Sequence, residues 1–253
     1  MDNQDQVLTK KQRRELKRQG KIENRKKNDS KKKIIRYTTW AIIIIIVIGG
    51  IYWLSQGDGD NTSTTTVNDI SEIDQTKGNE ESQIVLIEYS DFQCPACSTY
   101  YNIMNQVMDE YGDDIYFSYR HFPLRSIHSN AQIAAQASEA AGVQGKFWEM
   151  HDKLFEGQNS WSNESNPEEM FVTYATELEL DVEKFTTDLT SSTVKNKVDG
   201  DYTSGIGAKV NSTPSFFLNG EKISPKTLDD FKEIIEEELN SNTDIPVTTD
   251  TTE

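Results

Sequence analysis

Two cysteines separated by two residues, Cys94 and Cys97, are the only cysteines in this 253-residue chain. Just before them, residues 84–87 form an unbroken apolar run that predicts a buried strand. After them, apolar residues recur at helical spacing through residues 100–111. A Cys-x-x-Cys pair at the point where a strand passes into a helix is typical of a redox-active dithiol.

The charges of the chain are divided unevenly. Residues 1–36 contain fourteen Lys or Arg against five Asp or Glu, a net charge of +9. Because the whole chain has a net charge of −16, residues 37–253 have a net charge of −25. Residues 37–54 contain no charged side chain, and a helix of that length spans about 27 Å, close to the hydrocarbon thickness of a bilayer. Because Tyr and Trp flank this run and the basic cluster lies on one side only, the positive-inside rule predicts a transmembrane anchor with a cytoplasmic N-terminus.

Two other interpretations of the N-terminal segment fit less well. A cleaved signal peptide would have a shorter basic region and a small-residue cleavage site after the apolar run. Nucleic-acid binding would favour aromatic side chains interleaved among the basic ones. We therefore expect an uncleaved single-pass anchor in the cell membrane, no nucleic-acid partner, and basic residues that attract anionic lipid head groups.

The rest of the chain divides by composition. Residues 55–82 are rich in Gly, Asp, Asn, Ser and Thr and predict a flexible linker, and residues 241–253 predict a disordered tail. Between them lies one domain, residues 83–240, which is long enough for a single core.

Within this domain the patterns predict the order β-α-β, a helical block, then β-β-α. Strands at residues 84–91 and 115–120 are joined by a helix at residues 95–111, and we expect them to be parallel with a right-handed crossover. The helical block covers about residues 126–207. Asn219-Gly220 between two apolar runs predicts a hairpin, and a final helix follows residue 227.

This order is that of an α/β thioredoxin fold with a helical insertion, here preceded by one N-terminal transmembrane helix. The sequence resembles the DsbA family of extracytoplasmic thiol–disulfide oxidoreductases, particularly its membrane-anchored bacterial members, over about residues 83–239. The resemblance depends on four motifs, of which the first and last are specific. They are residues 88–97 around the cysteines, 119–124 (Tyr-Arg-His-Phe-Pro-Leu), 145–148 (Gly-Lys-Phe-Trp) and 210–217 (Val-Asn-Ser-Thr-Pro-Ser-Phe-Phe).

The predicted start of the helix suits thiol–disulfide chemistry, in which the thiolate attacks and leaves. Free N–H groups and the helix dipole favour an anion at Cys94, so we expect its pKa to lie below the usual value of about 8.5. Pro95 is tolerated in the first turn because no intrahelical partner is lost there. Cys97, one turn further, is expected to be buried and to act as the resolving thiol.

Two other uses of the cysteines are less consistent with the sequence. A zinc site would need two more ligands, and His121, His128 and His151 lack close paired spacing. A purely structural disulfide that closes so small a loop would restrain little of the unfolded chain. We expect no metal and no bound cofactor.

Glu88 lies six residues before Cys94, inside the apolar strand. A carboxylate at such a position is costly unless it is paired or functional, the alternative being a solvated glutamate at a sheet edge. In the resembled family an acid at this position lies beneath the dithiol and relays its protons, so the resemblance assigns this catalytic role to Glu88. We interpret Asp91 as a turn residue.

Thr213-Pro214 opens the strand at residues 215–218. Such a proline is ordinarily a trans residue at a sheet edge, but in the thioredoxin fold the matching proline is cis and packs against the dithiol. The resemblance therefore places Pro214 in the catalytic site and assigns Thr213, Pro95 and Ala96 to substrate binding. Four aromatic residues are candidates for an apolar substrate surface, although core packing is the more ordinary use of each: Phe92, Phe147, Trp148 and Trp161.

The resemblance implies an enzyme that oxidises cysteine pairs in exported proteins, with an integral-membrane, quinone-linked oxidase as its recycling partner. Pro95 matches the oxidant branch of the family, whereas Ala96 stands where the best-known oxidases carry histidine, which predicts weaker oxidising power. A reductase or isomerase that receives electrons from a membrane carrier is the second hypothesis. A peptide-binding thioredoxin-fold module without turnover is the third.

Overall fold

A five-stranded sheet forms the centre of the described domain. Its strands lie in the order β1 (Gln75–Gly78), β3 (Tyr116–His121), β2 (Val85–Ser90), β4 (Ser215–Leu218) and β5 (Glu221–Ile223). The computed structural model describes residue 67 and residues 70–243. The predicted basic segment and transmembrane anchor, with most of the predicted tail, lie outside these residues. Among residues 70–243, no helix combines the length and the apolarity needed to cross a bilayer.

The predicted β-α-β unit is confirmed. It consists of β2 (Val85–Ser90), α1 (Pro95–Tyr111) and β3 (Tyr116–His121). The two strands are parallel and in register from Val85 opposite Tyr116 to Ser90 opposite His121. The sheet therefore fixes the carboxyl end of β2, from which the chain passes directly into α1.

The predicted hairpin is also confirmed, as β4 (Ser215–Leu218) and β5 (Glu221–Ile223). Its turn residues Asn219 and Gly220 have φ angles of 47° and 84°, the left-handed region that Asn-Gly turns favour. β4 pairs antiparallel with β2, so β2 has a hydrogen-bonded strand on each side. The final helix, α8 (Leu228–Thr243), follows β5. The prediction of a disordered tail was wrong for residues 241–243, because the last turn of this helix is polar and gives no apolar signal.

One strand was not predicted. β1 (Gln75–Gly78) pairs antiparallel with β3 at the edge of the sheet, within the segment predicted as a flexible linker. The linker prediction was wrong for this stretch because β1 is short, polar and only half-buried, so it has no apolar alternation to signal a strand.

The predicted helical insertion lies between β3 and β4. Its six helices are α2 (Ala131–Gly142), α3 (Phe147–Glu156), α4 (Gln158–Trp161), α5 (Glu168–Glu177), α6 (Val182–Leu189) and α7 (Ser192–Gly207). The small-residue face of α2 is fully buried at Ala134, Ala137 and Ala141, which allows the other helices to approach it closely.

The sheet separates two apolar clusters. Side chains alternate along a strand, so Leu86 belongs to the larger cluster with α1 and the insertion, while Ile87 and Tyr89 belong to a smaller cluster with Phe217 on the other face. By the same alternation, Glu88 and Ser90 face the larger cluster, the side that contains Cys97.

The close contact between α7 and the smaller cluster gives a stability prediction. A Cβ atom at Gly205 would lie 2.5 Å from Cδ2 of Phe122, whereas one at Gly200 in the same helix would meet nothing within 4 Å. We expect Gly205→Ala to lower the free energy of unfolding by about 1–3 kcal/mol and Gly200→Ala to raise it by about 0.5–1 kcal/mol. Urea unfolding of the full-length chain in mild detergent measures both, and equal effects would contradict the packing described.

Candidate active site

Cys94 occupies the N-cap position of α1. Its backbone is extended (φ −75°, ψ 122°), and Pro95 opens the helix after it, as the sequence predicts. Cys97 lies one turn further along. Both are free thiols, but Cys94 retains 7% exposure whereas Cys97 has none. The two sulfur atoms therefore lie in different surroundings although they are three residues apart.

These surroundings drive the two pKa values apart. A hydrogen bond from the Cys97 thiol, supported by Thr213 and by the backbone N–H groups of Cys97 and Ala96, lowers the pKa of Cys94 to about 5 although burial opposes the shift. Burial, together with the nearby Cys94 thiolate, raises the pKa of Cys97 well above its usual value. At neutral pH Cys94 is thus a thiolate, while Cys97 keeps its proton and donates it in a hydrogen bond.

The loop before β4 lies against the dithiol. The Thr213–Pro214 peptide bond is cis, which confirms that prediction. When Cys94 is a thiol, its Sγ donates a hydrogen bond to the carbonyl of Thr213 at 3.5 Å. An open groove of about 290 Å³ adjoins Pro214 and includes Tyr100 and Phe216 in its lining. The loop therefore connects the reactive sulfur with a surface that has room for a peptide.

Pro95 and Ala96 are exposed, on the surface beside the nearly buried Cys94. Of the residues assigned to substrate binding, these two are open to solvent, whereas Thr213 is 9% exposed. Thr213 lies beside Cys94 with both of its polar groups. Its backbone carbonyl accepts from the Cys94 thiol, and its buried hydroxyl helps to lower the pKa of Cys94 although Oγ1 makes no complete hydrogen bond among the described residues.

Glu88 is 3% exposed, so the alternative of a solvated edge glutamate was wrong. Burial raises the pKa of its carboxyl group to about 7, against a smaller opposing effect of the Ser90 hydroxyl. The charge of Glu88 also raises the pKa of Cys97, which indicates that the two groups are close. The carboxyl group is thus near the dithiol and changes protonation around neutral pH.

A small cavity of about 10 Å³ borders Glu88, roughly the space that one water molecule requires. Its lining also includes Lys77, Asn105 and His151. Lys77 and Asn105 are only half-buried, so the cavity leads from the carboxyl group towards the surface.

Asp91 is the predicted turn residue, and its Oδ1 accepts a hydrogen bond from the Gln93 N–H at 2.7 Å. Its other oxygen, Oδ2, accepts one from the Leu124 N–H at 2.9 Å and lies 2.7 Å from His128 Nδ1. The side chain is 2% exposed. Asp91 thus joins the loop before α1 to the loop after β3, a role beyond that of a turn residue.

Two glutamines that the sequence analysis did not single out attach the active-site loop to the insertion. Gln158 Nε2 donates to the carbonyls of Phe92, at 2.7 Å, and Cys94, at 3.0 Å. Gln93 Nε2 donates to the Ser162 carbonyl at 2.7 Å, and its Oε1 accepts from the Asn130 N–H at the same distance. No local pattern marks Gln158, because its partners lie more than 60 residues away.

The histidines are not brought together with the cysteines as metal ligands. Within residues 70–243, the one cluster with suitable spacing is His121, Glu139 and Asp201. Lys197 Nζ lies 2.7 Å from both carboxylate oxygens of Asp201, so an ammonium group already pairs with this cluster.

Most of the candidate aromatic surface is core. Phe92, Phe147 and Trp161 are at most 3% exposed. Trp148 is half-buried and its indole N–H donates to the Thr76 carbonyl at 2.9 Å, so it packs against β1. Core packing, the more ordinary use expected of these residues, is confirmed for Phe92, Phe147 and Trp161.

Comparisons with known proteins agree with this architecture. A family model described as thioredoxin matches residues 71–237. The Na(+)/H(+) antiporter NhaA 1 of Mycolicibacterium vanbaalenii is 39% identical over 151 residues, which are 58% of this chain and 23% of that protein. The chain therefore spans about a quarter of the length of the curated relatives it matches.

Solved structures resemble the chain over more of its length. The alpha-DsbA1 protein of Wolbachia pipientis has a TM-score of 0.64 at 21% identity and covers 72% of this chain and 98% of its own. Oxidised BdbD from Bacillus subtilis has a TM-score of 0.60 at 24% identity, covering 66% of this chain and 93% of its own. These likenesses show a DsbA-like thioredoxin fold with a helical insertion.

The environment of Cys94 predicts its reactivity. Because the thiolate is the reactive form, we expect the rate of alkylation by iodoacetamide to rise with pH with a midpoint near 5. Mass spectrometry of the reduced full-length chain should find the label at Cys94, no label at the fully buried Cys97, and none at all in Cys94→Ser. A midpoint near the roughly 8.5 of an ordinary thiol would contradict the site described.

Proposed function

The chain belongs to the thioredoxin family, and from this premise we propose that it exchanges thiols and disulfides with cysteine-containing proteins, mainly as an oxidant. The observation that carries the proposal is the asymmetry of the dithiol. Cys94 is a low-pKa thiolate at a helix start, and Cys97 is a buried thiol beside it. One sulfur is therefore suited to attack and leave, and the other to form or break the bond with it.

In the oxidising direction, a substrate thiolate attacks Sγ of Cys94 in the Cys94–Cys97 disulfide. A bond forms between the substrate sulfur and Cys94, and Cys97 leaves as a thiolate that takes up a proton. A second substrate thiolate then attacks the substrate sulfur of the mixed disulfide. The substrate leaves with its own disulfide, and the two electrons that it loses remain on the now reduced cysteines.

The surface around Cys94 supports a protein substrate. Pro95 and Ala96 are exposed beside the sulfur, and the groove next to Pro214 offers apolar and aromatic lining. We place the substrate chain along this groove, with the Thr213–Pro214 loop beside it. The buried Glu88 then supplies or accepts the proton that Cys97 needs during exchange, because its pKa of about 7 allows both.

The low pKa of Cys94 supports the oxidising direction. A hydrogen-bonded thiolate stabilises the reduced protein, and a dithiol whose reduced form is stabilised makes a strong oxidant when it is a disulfide. The alternative reductase would require the disulfide form to be the more stable one. A binding module without turnover would not require two thiols of such different pKa.

The proposal includes a cellular location for the folded domain and a partner that regenerates its disulfide. The +9 charge of residues 1–36 beside the uncharged residues 37–54 supports an anchored protein whose folded domain lies outside the cytoplasm. Its substrates are then exported proteins. Since the chain has two cysteines in all, an external oxidant must regenerate the disulfide, and we propose an integral-membrane, quinone-linked oxidase.

The reduction potential tests the direction of exchange. We expect equilibration of the full-length chain with glutathione buffers to give a value more positive than roughly −200 mV, on the oxidant side of the range from about −270 mV for thioredoxin to about −120 mV for DsbA. Thiol counting by alkylation and mass spectrometry measures the reduced fraction. A value near −270 mV would instead support the reductase hypothesis.

Trapping tests whether there is turnover at all. Without Cys97 the mixed disulfide at Cys94 cannot be resolved within the protein, so Cys97→Ala should accumulate adducts with a reduced, cysteine-containing protein after oxidation by glutathione disulfide. Non-reducing electrophoresis detects the adducts. The matched control, Cys94→Ala, should form few because its remaining thiol is buried, and equal amounts in both variants would contradict the assigned roles.

A further inference from the structure

Ser90, the last residue of β2, has a buried hydroxyl group without a hydrogen bond. The residue is 1% exposed, and its Oγ has no hydrogen-bond partner among the described residues. The Tyr119 hydroxyl on the neighbouring strand is also buried and also has no hydrogen-bond partner among the described residues. Most buried polar groups in folded proteins are hydrogen-bonded, and each exception needs a reason. Leaving such a group unpaired destabilises the fold.

The position of Ser90 relates it to the dithiol. It follows Glu88 by two residues on the same face of β2, the face that packs against α1 and Cys97. Its hydroxyl lowers the pKa of Glu88, Cys97 and Tyr119, so it lies within reach of all three groups. The Ser90 hydroxyl is therefore close enough to a carboxyl, a thiol and a phenol to stabilise their charged forms, although it makes no complete hydrogen bond among the described residues.

Other ionisable groups border this region from each element packed around it. α1 contributes both cysteines, and β2 contributes Glu88 and then Asp91. Tyr119 and His121 come from β3, His151 from α3 and Lys77 from β1. Burial raises the pKa of Tyr119 well above its usual value and lowers that of His151. Both are therefore neutral at pH 7, and Glu88 is the buried acid whose pKa lies near neutrality.

We propose that the Ser90 hydroxyl is a catalytic group that transfers the proton between Cys97 and Glu88 and donates a hydrogen bond to the Cys97 thiolate when it forms. This inference rests on the proposed exchange function and adds a residue to it. Since a hydroxyl is both donor and acceptor, it can accept the thiol proton while giving its own to the carboxylate. An unpaired hydroxyl in the dithiol state is free to take either orientation.

With glutathione as the probe, the step is the resolution of a mixed disulfide by Cys97. In the mixed disulfide between Cys94 and glutathione, the Cys97 proton passes to Ser90 while the Ser90 proton passes to the Glu88 carboxylate. The Cys97 thiolate attacks Cys94 Sγ, the Cys94–Cys97 bond forms, and the bond to glutathione breaks. This glutathione leaves as a thiolate; a first one left when the Cys94 thiolate attacked oxidised glutathione to form the mixed disulfide. The two electrons that the cysteines lose over both steps thus reduce one oxidised glutathione to two glutathione thiols.

The neighbouring strand offers a matched control. Ser118 is also fully buried, and its hydroxyl also lacks a partner among the described residues. It precedes Tyr119 by one residue, so it faces the opposite side of the sheet from the dithiol. Ser118→Ala and Ser90→Ala therefore remove the same chemical group from equally buried positions, and only one of them is near Cys97.

The first experiment mixes the reduced full-length chain with oxidised glutathione and counts the mixed disulfide by acid quench and mass spectrometry. We expect Ser90→Ala to slow glutathione release about tenfold, the effect of one unit in a thiol pKa, and to accumulate the adduct. Threonine and valine have nearly the same shape, but only threonine has a hydroxyl group. Ser90→Thr should therefore release glutathione faster than Ser90→Val. Ser118→Ala should match the unsubstituted chain, and equal slowing in Ser90→Ala and Ser118→Ala would overturn the inference.

A second measurement does not depend on exchange. NMR of the full-length chain labelled at the glutamate carboxyl carbons follows the titration of Glu88, assigned by its absence in Glu88→Gln. Because the Ser90 hydroxyl lowers this pKa, Ser90→Ala should move the midpoint upward while Ser118→Ala leaves it unchanged. An unchanged midpoint in Ser90→Ala would overturn the inference. If oxidised glutathione neither forms an adduct with the unsubstituted chain nor oxidises it, the exchange function fails and the catalytic role of Ser90 fails with it, whereas a shifted Glu88 midpoint would still show the hydroxyl beside the carboxyl group.

Discussion

The central position of β2 in the sheet determines where Glu88 lies and where the chain enters α1 at Cys94. Hydrogen bonds to β3 on one side and β4 on the other leave the strand no freedom, and Glu88 stands opposite Tyr119 and Phe216. The alternation of side chains then directs Glu88 towards the cluster that contains Cys97. The same strand ends a few residues before Cys94, so the acid and the reactive sulfur are held by one short segment.

The helical insertion takes part in the site as well as covering the sheet. Gln158 donates a hydrogen bond to the carbonyl of Cys94 itself. The side-chain amide of Gln93 donates to the Ser162 carbonyl and accepts from the Asn130 N–H, both in the insertion segment. These bonds attach both the backbone of the active-site loop and its Gln93 side chain to the insertion. The position of the Cys94 sulfur thus depends on residues that lie far along the chain, and any shift of the insertion would move it.

Local patterns predicted the parts of the fold that are specified locally. The β-α-β unit, the Asn219-Gly220 hairpin and the dithiol at a helix start each have a short sequence signature. β1 was missed because a short polar edge strand has none. Gln158 and Ser90 were missed because their importance comes from tertiary neighbours: Gln158 is 64 residues from Cys94, and a serine in a strand gives no sign of being unpaired.

The site combines two opposite electrostatic environments within one helical turn. Hydrogen-bond donors stabilise a negative charge on Cys94, whereas complete burial opposes one on Cys97. A fully buried thiol cannot exchange its proton directly with solvent, so the acceptor must be buried with it, and its pKa must be near neutral for transfer in both directions. Burial of Glu88 meets this condition. The desolvation that makes Cys97 a poor thiolate therefore also gives Glu88, the proton acceptor in the proposed mechanism, a pKa suited to that role.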